Sequence, residues 1–132
     1  MELRWWEMRQ IVSVTAVENV NEAVVVTLHD RMDVFNAPSL MQLFNGLLDD
    51  GALHFVVDLT DVRVVDADGD YPLLHLLKCA QGGGGSVSLV CPFGNPIRVF
   101  YEMMRLDTLF EMAETLDFAL DNLKMTLAQP LV

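Results

Sequence analysis

The spacing of apolar residues predicts one helix near the start of the chain. Asn36 is of a type that caps helices, Pro38 follows in the first turn, where a missing N–H costs nothing, and Gly51 is suited to end the helix. Between them the apolar positions recur three and four residues apart, which places them on one face. These positions are Leu40, Leu43, Phe44, Leu47 and Leu48.

Apolar runs elsewhere predict the strands of a sheet. Residues 11–17 alternate between apolar and polar, and the run 24–28 follows a turn-forming stretch, which indicates an antiparallel pair. Residues 53–59 have a continuous apolar centre, as expected of a strand covered on both faces in a parallel sheet. Residues 87–90 predict a further strand, and residues 109–112 predict a short one at the edge.

Three more helices follow from their start signals and apolar faces. Leu73, Leu76, Leu77 and Ala80 line one side of a second helix. A third helix begins after Asn95, and a final helix begins after Thr115.

The order of these elements predicts an α/β fold. We expect a single-domain mixed β-sheet, an antiparallel N-terminal pair plus parallel strands, with about four helices. Residues 1–10 are assigned to an N-terminal extension, residues 11–127 to the domain and residues 128–132 to a tail.

Charge and composition exclude several classes of partner. The chain has 19 acidic and 8 basic residues among 132, for a net charge of -11, so nucleic acid and anionic membrane surfaces would repel it. No apolar run reaches the ~20 residues of a membrane span or resembles a signal peptide, and we expect a cytoplasmic protein without membrane insertion. Cys79 and Cys91 lack zinc or redox spacing, which favours two buried free thiols.

The stretch 55–70 leads from the central strand into the second helix, and such loops carry the sites of many α/β proteins. A magnesium-dependent phosphoryl-transfer enzyme would use acids there. However, no lysine follows at a suitable loop position, and no His/Ser or His/Cys pair indicates a nucleophile. We therefore expect no enzyme, no metal and no cofactor, with the acids acting as helix caps and loop formers. The acids are Asp58, Asp61, Asp66, Asp68 and Asp70.

The order of the short motifs resembles the STAS domains, which include bacterial anti-sigma factor antagonists and related stressosome and transporter modules. Residues 57–62, VDLTDV, are similar to the family's D-L-S-x-V strand end, and residues 65–69, VDADG, take the place of its D-S-S-G loop. Nearly the whole chain after Gln10 is covered. Further matches are residues 28–33, 87–90, 97–99, 109–110 and 115–120.

The resemblance implies a domain that works by binding a protein. In phospho-regulated members, the serine after the loop aspartate is phosphorylated by a partner, a GHKL-type serine kinase that is also an anti-sigma factor. The unmodified domain binds that kinase and frees the sigma factor, and the modified domain releases the kinase.

The chain departs from this pattern at the phosphorylated position. Ala67 replaces the serine, Asp68 the second hydroxyl, and Asp70 the apolar residue after the glycine. We predict that partner binding is kept and that the switch at Ala67 is lost, with Asp68 and Asp70 placing fixed charge at the helix N-terminus. Thr60, the nearest remaining hydroxyl, matches a position that is often structural in the family.

The predicted partner-binding loop and the other interface candidates lie around this helix start. His75 is expected on an exposed side of the helix, and Trp5 and Trp6 either dock on the domain or anchor an interface. An accessory subunit of a transporter or a signalling scaffold remains an alternative, and a homodimer is compatible with either role. The loop comprises Asp66, Ala67, Asp68, Gly69, Asp70 and Tyr71, and the other candidates are Asp33, Phe35, Asn36, His75 and Phe93.

Overall fold

A computed structural model describes residues 12–128, so Trp5, Trp6 and the last residues of the tail lie outside the described residues. The elements are β1 Val12–Ala16, β2 Ala23–Met32, α1 Ala37–Asp49, β3 His54–Val65, α2 Ala67–Gly82, β4 Ser86–Val90, α3 Pro96–Met103, a 3₁₀ turn Leu106–Thr108, β5 Glu111–Ala113 and α4 Leu116–Ala128.

The strands form one sheet in the order β1-β2-β3-β4-β5. β1 is antiparallel to β2, and the remaining neighbours are parallel, which confirms the predicted mixed sheet. Because β2, β3 and β4 point the same way, the loops that lead into α1, α2 and α3 leave the sheet at the same end. The candidate site is built at that end.

Both faces of the sheet are covered, as predicted for the central strand. Phe55 and Val57 of β3 pack in the larger core cluster with residues of α1, α2 and α3, including Phe44 and Tyr101. Val56 faces the other way, into a smaller cluster that includes residues of α4. The alternation of side chains along β3 thus separates a three-helix face from a one-helix face.

Two strands are longer than the sequence pattern indicates. β2 continues to Met32 and β3 continues to Val65, and the extensions pair with each other beyond the last β3–β4 pair, Asp58 with Val90. Pairing along the β2 extension is irregular, and Asp30 has a φ of 68°. The two extensions pair with each other, and this pairing between segments about 33 residues apart cannot be read from either segment alone.

No helix among residues 12–128 is both long and apolar enough to cross a membrane.

Candidate functional site

The start of α2 is fastened to the loop between β2 and α1 by Asp66. Its Oδ1 accepts the N–H of Gly69 at 2.7 Å and caps the helix, while its Oδ2 accepts the N–H of Val34 at 3.2 Å. Gly69 lies so close to the end of β2 that a Cβ would come 1.9 Å from the carbonyl oxygen of Met32. Only glycine allows this approach, so both residues fix the position of the helix start.

An exposed surface surrounds this junction. Ala67 and Asp68 are exposed in the first turn of α2, and Tyr71 is 61% exposed. Across from them, Val34 and Phe35 of the β2–α1 loop are 49% and 69% exposed. A groove of about 400 Å³ runs between two walls, one formed by the end of the β2–α1 loop with the first turns of α1 and the other by the start of α2. This loop–helix groove is lined by Val34, Ala37, Pro38, Met41, Asp68, Tyr71 and Pro72.

Asp33 and Asn36 are buried, so their side chains are not the surface contacts predicted from the sequence. Asn36 Oδ1 accepts the N–H of Asp33 at 2.8 Å, and Asn36 Nδ2 donates to the carbonyl oxygen of Arg31 at 2.7 Å. Asn36 was predicted to cap α1, but its side chain makes these two bonds instead, and no side-chain cap forms at the start of α1.

The same loop orders Phe35. Asp33 Oδ1 accepts the N–H of Phe35 at 3.0 Å, and Asp33 Oδ2 lies 3.3 Å from Arg31 Nε. The Arg31 guanidinium carbon is in turn 5.6 Å from the centroid of the Phe35 ring. Asp33 and Asn36 therefore shape the loop from inside, and Phe35 is the residue that the loop presents.

Asp70 is buried at 3% exposure and accepts a hydrogen bond from the hydroxyl of Tyr101 on α3. Burial raises the pKa of Asp70, and the hydrogen bond from Tyr101 offsets part of that rise. Burial, followed by the charge of Asp70, raises the pKa of Tyr101 well above its ordinary value. Asp70 was predicted to place fixed charge at the helix N-terminus within the partner-binding loop. It lies in that first turn, but it is buried and joins α2 to α3, so its side chain is not a partner contact.

A second exposed aromatic, Phe93, stands on the loop after β4 with 67% of its surface exposed. The guanidinium carbon of Arg98 lies 3.9 Å from its ring centroid, and Arg98 also donates to the carbonyl oxygen of Cys91 at 2.7 Å. An arginine fixed in this way supports one face of the ring, while most of the residue stays exposed. Asn95 connects this loop to β3 through a bond to the carbonyl oxygen of Thr60.

The remaining acids do not gather into one site. Asp58 and Asp61 lie within β3, where Asp58 Oδ1 accepts from the N–H and the hydroxyl of Thr60, and Asp61 lies 3.4 Å from His29. Among residues 12–128, no three His, Cys, Asp or Glu side chains are arranged to hold a metal ion.

The two cysteines differ in their surroundings. Cys91 is buried as expected, and burial raises its pKa to about 11. Cys79 is exposed, with its sulfur 3.6 Å from Nε2 of His75, so the expectations of a second buried thiol and of no His/Cys pair are both wrong. His75 was expected to be exposed but is partly buried, and the same nitrogen lies 2.9 Å from Oδ1 of Asn45 on α1. The spacing of four residues along α2 could have revealed the pair.

Several residues that shape the site were not predicted from the sequence. Val34 and Met41 lie in the groove, and Arg31, Arg98 and Tyr101 orient the aromatic and acidic side chains. The apolar pair Val34-Phe35 in an otherwise polar loop is a usable signal. The partners Asp70 and Tyr101, which lie 31 residues apart, have no local signature.

The chain matches a family model in sequence and solved structures in fold. The family model of the STAS domain matches residues 13–119. No curated protein matches the sequence. Among solved structures, a candidate anti-sigma factor antagonist from Thermotoga maritima has 21% identity and a TM-score of 0.75, covering 86% of this chain and 94% of its own.

Two other solved proteins show the same fold. The anti-sigma factor antagonist SpoIIAA in its unphosphorylated form has 18% identity and a TM-score of 0.66, covering 86% of this chain and 97% of its own; the Bacillus protein has also been solved in a phosphorylated form. A sulfate transporter family protein from Wolinella succinogenes has 14% identity and a TM-score of 0.69, covering 83% of this chain and 91% of its own. With the family model spanning most of the chain, the protein belongs to the STAS domain family.

Proposed function

We propose that this chain is a protein-binding regulator of the anti-sigma factor antagonist type, which acts in the cytoplasm by binding a partner and catalyses no reaction. Its membership of the STAS family and its fold, shared with proteins described as anti-sigma factor antagonists, support this role. The proposed partner is a GHKL-type serine kinase that also acts as an anti-sigma factor.

We propose further that binding is not switched by phosphorylation at this helix start, and the observation that carries this is Ala67 at the exposed first position of α2. The contacts that fix the helix start are present around it, because Asp66 caps the helix and Gly69 packs against the end of β2. A methyl group cannot accept a phosphoryl group. A phosphate on a serine at this position would add up to about two negative charges to the start of α2 and disrupt a packed interface with the partner. Because residue 67 is alanine, the partner cannot be released in this way.

The proposed contact surface consists of exposed side chains on two loops and on the first turns of α2. Phe35 and Phe93 are each supported by an arginine, and Tyr71 projects from the capped first turns of α2. Large aromatic side chains held in place lose little conformational entropy on binding and are common among residues that dominate interfaces. We therefore assign partner contact to Phe35, Tyr71 and Phe93, with Asp66, Gly69 and Asp70 as residues that position the surface.

Capture of partners from an extract of the native cell tests the binding role. The wild-type chain is compared with a Phe35→Ala/Tyr71→Ala variant and with Phe118→Ala, whose phenylalanine is 56% exposed on α4. We expect a GHKL-type kinase with the wild type and with Phe118→Ala, and its loss with the double variant. Recovery of an ATP-binding-cassette subunit in its place would support the role of a transporter accessory subunit.

Intact-mass measurement after incubation with that kinase and ATP tests the loss of the switch. We expect no phosphate on the wild type and one phosphate on Ala67→Ser, which controls for an active kinase and an accessible helix start. Stoichiometric phosphate on the wild type, at Thr60 or at any other remaining hydroxyl, would overturn this part of the proposal.

A further inference from the structure

We propose that the loop–helix groove binds a basic amphipathic segment of the partner, with a large apolar side chain in the groove and an arginine or lysine paired with Asp68. This inference rests on the proposed function and deepens it by naming the chemistry of the segment that binds.

The walls of the groove are apolar except at one point. Val34, Ala37, Pro38, Met41 and Pro72 provide aliphatic surface, with Tyr71 beside them. A volume of about 400 Å³ is at the small end of the range of ligand sites in proteins. It is suited to one or two large side chains of a helix or loop, in the manner of helix-in-groove recognition.

Asp68 is the charged residue of the groove lining, and its carboxylate is free. Among residues 12–128, no hydrogen bond or ion pair engages its side chain. The neighbouring carboxylates are used internally, Asp66 by two backbone N–H groups and Asp33 by Arg31. An occupant that covered Asp68 without supplying a cation would bury an unpaired charge, which is costly.

Charge also favours a basic partner over a second copy of this chain. The chain carries a net charge of -11, so two copies repel each other while a basic segment is attracted. The groove is preformed, because Asp66 and Gly69 hold the loop against the helix before anything binds. Little ordering is then required on this side of the interface.

Selection of random peptides displayed on phage against the immobilised wild-type chain tests the inference and does not require an identified partner. We expect enriched sequences that place Leu, Met or Phe about one helical turn from Arg or Lys. A synthetic peptide of the enriched sequence should lose affinity roughly tenfold or more on Asp68→Lys. It should bind Asp121→Lys, a charge reversal at an exposed site on α4, as it binds the wild type.

A charge exchange makes the test specific. The same peptide with its cation replaced by glutamate should bind Asp68→Lys better than it binds the wild type, while Asp68→Asn should bind the original peptide with intermediate affinity. Thermal melts of the variants verify that each is folded.

The inference is overturned if no peptide is enriched, if enriched peptides are acidic or uncharged, or if Asp68→Lys leaves their affinity unchanged. Self-association of the wild type that disappears in Asp68→Lys would assign the groove to a second copy and overturn it as well. If the captured kinase binds Asp68→Lys as it binds the wild type but requires Phe35 and Tyr71, the inference alone is refuted. If basic peptides bind the groove but the chain captures no kinase, the proposed function alone is refuted.

Discussion

Replacing Gly69 with alanine should separate the start of α2 from the end of β2. The added Cβ would lie 1.9 Å from the carbonyl oxygen of Met32 and 2.4 Å from the backbone nitrogen of Asp33. Both are backbone atoms, so no side-chain rotation relieves the contact, and the helix start or the loop has to move. Gly46 within α1 is the matched control, because a Cβ there meets nothing within 4 Å.

The expected magnitude follows from the same geometry. In an open helical position, alanine in place of glycine stabilises by up to about 1 kcal/mol, and we expect this gain at Gly46. At Gly69 the displacement costs about 1–3 kcal/mol, and loss of the two hydrogen bonds of Asp66 costs about 1 kcal/mol each. After the helix-propensity gain is subtracted, Gly69→Ala should destabilise the fold by about 2–4 kcal/mol.

Urea unfolding of the two variants beside the wild type measures the difference. We expect a lower midpoint for Gly69→Ala and a higher one for Gly46→Ala, with the denaturant slope unchanged in both. A Gly69→Ala chain as stable as the wild type would refute the claim that close backbone contact fixes the helix start.

Two further predictions concern the same region. Asp66→Ala should cost about 1–2 kcal/mol and accelerate hydrogen exchange at the amides of Gly69 and Val34, whereas unchanged exchange at Val34 would exclude the bridge between the helix and the loop. The pKa of Asp70 in the folded chain is raised above the ordinary value of 3.8. Between these two pKa values the folded chain holds a proton that the unfolded chain has lost, so the stability of the fold falls as pH rises from 3.8 through the folded-state pKa. Asp70→Asn removes this titration while its amide oxygen can still accept from Tyr101, so the variant should gain stability relative to the wild type as pH rises above 3.8 in urea unfolding; a constant difference would contradict burial as the cause.

The elements that could be predicted are those with a local signal. The apolar positions of α1 appear as one buried stripe around Leu40 and Phe44, and the apolar run of β3 is covered on both faces. Asn95 and Thr115 cap their helices through the backbone N–H groups two and three residues on, as their sequence context indicates. Such features depend on neighbours in sequence, which the sequence displays directly.

Features that depend on distant partners could not be predicted in the same way. Asp70 is acidic and near the helix start, which is typical of a surface residue, but Tyr101 provides a buried hydrogen bond. Asn36 differs from Asp70, because its partners are local: it bonds the backbone of Asp33 and Arg31, three and five residues away. Its type suits either a helix cap or a loop bond of this kind, and the residue type alone does not decide between them.

The measurement that tests the central claim most directly is the affinity of the captured kinase for the wild-type chain and for Ala67→Ser, each before and after treatment with ATP. The claim is that this STAS domain binds its partner through the surface around α2 and, with alanine at residue 67, is not released by phosphorylation. We predict that ATP leaves the affinity of the wild type unchanged and lowers that of Ala67→Ser as the new serine is phosphorylated. Loss of wild-type affinity on ATP treatment, together with phosphate on a remaining hydroxyl such as that of Thr60, would contradict the claim.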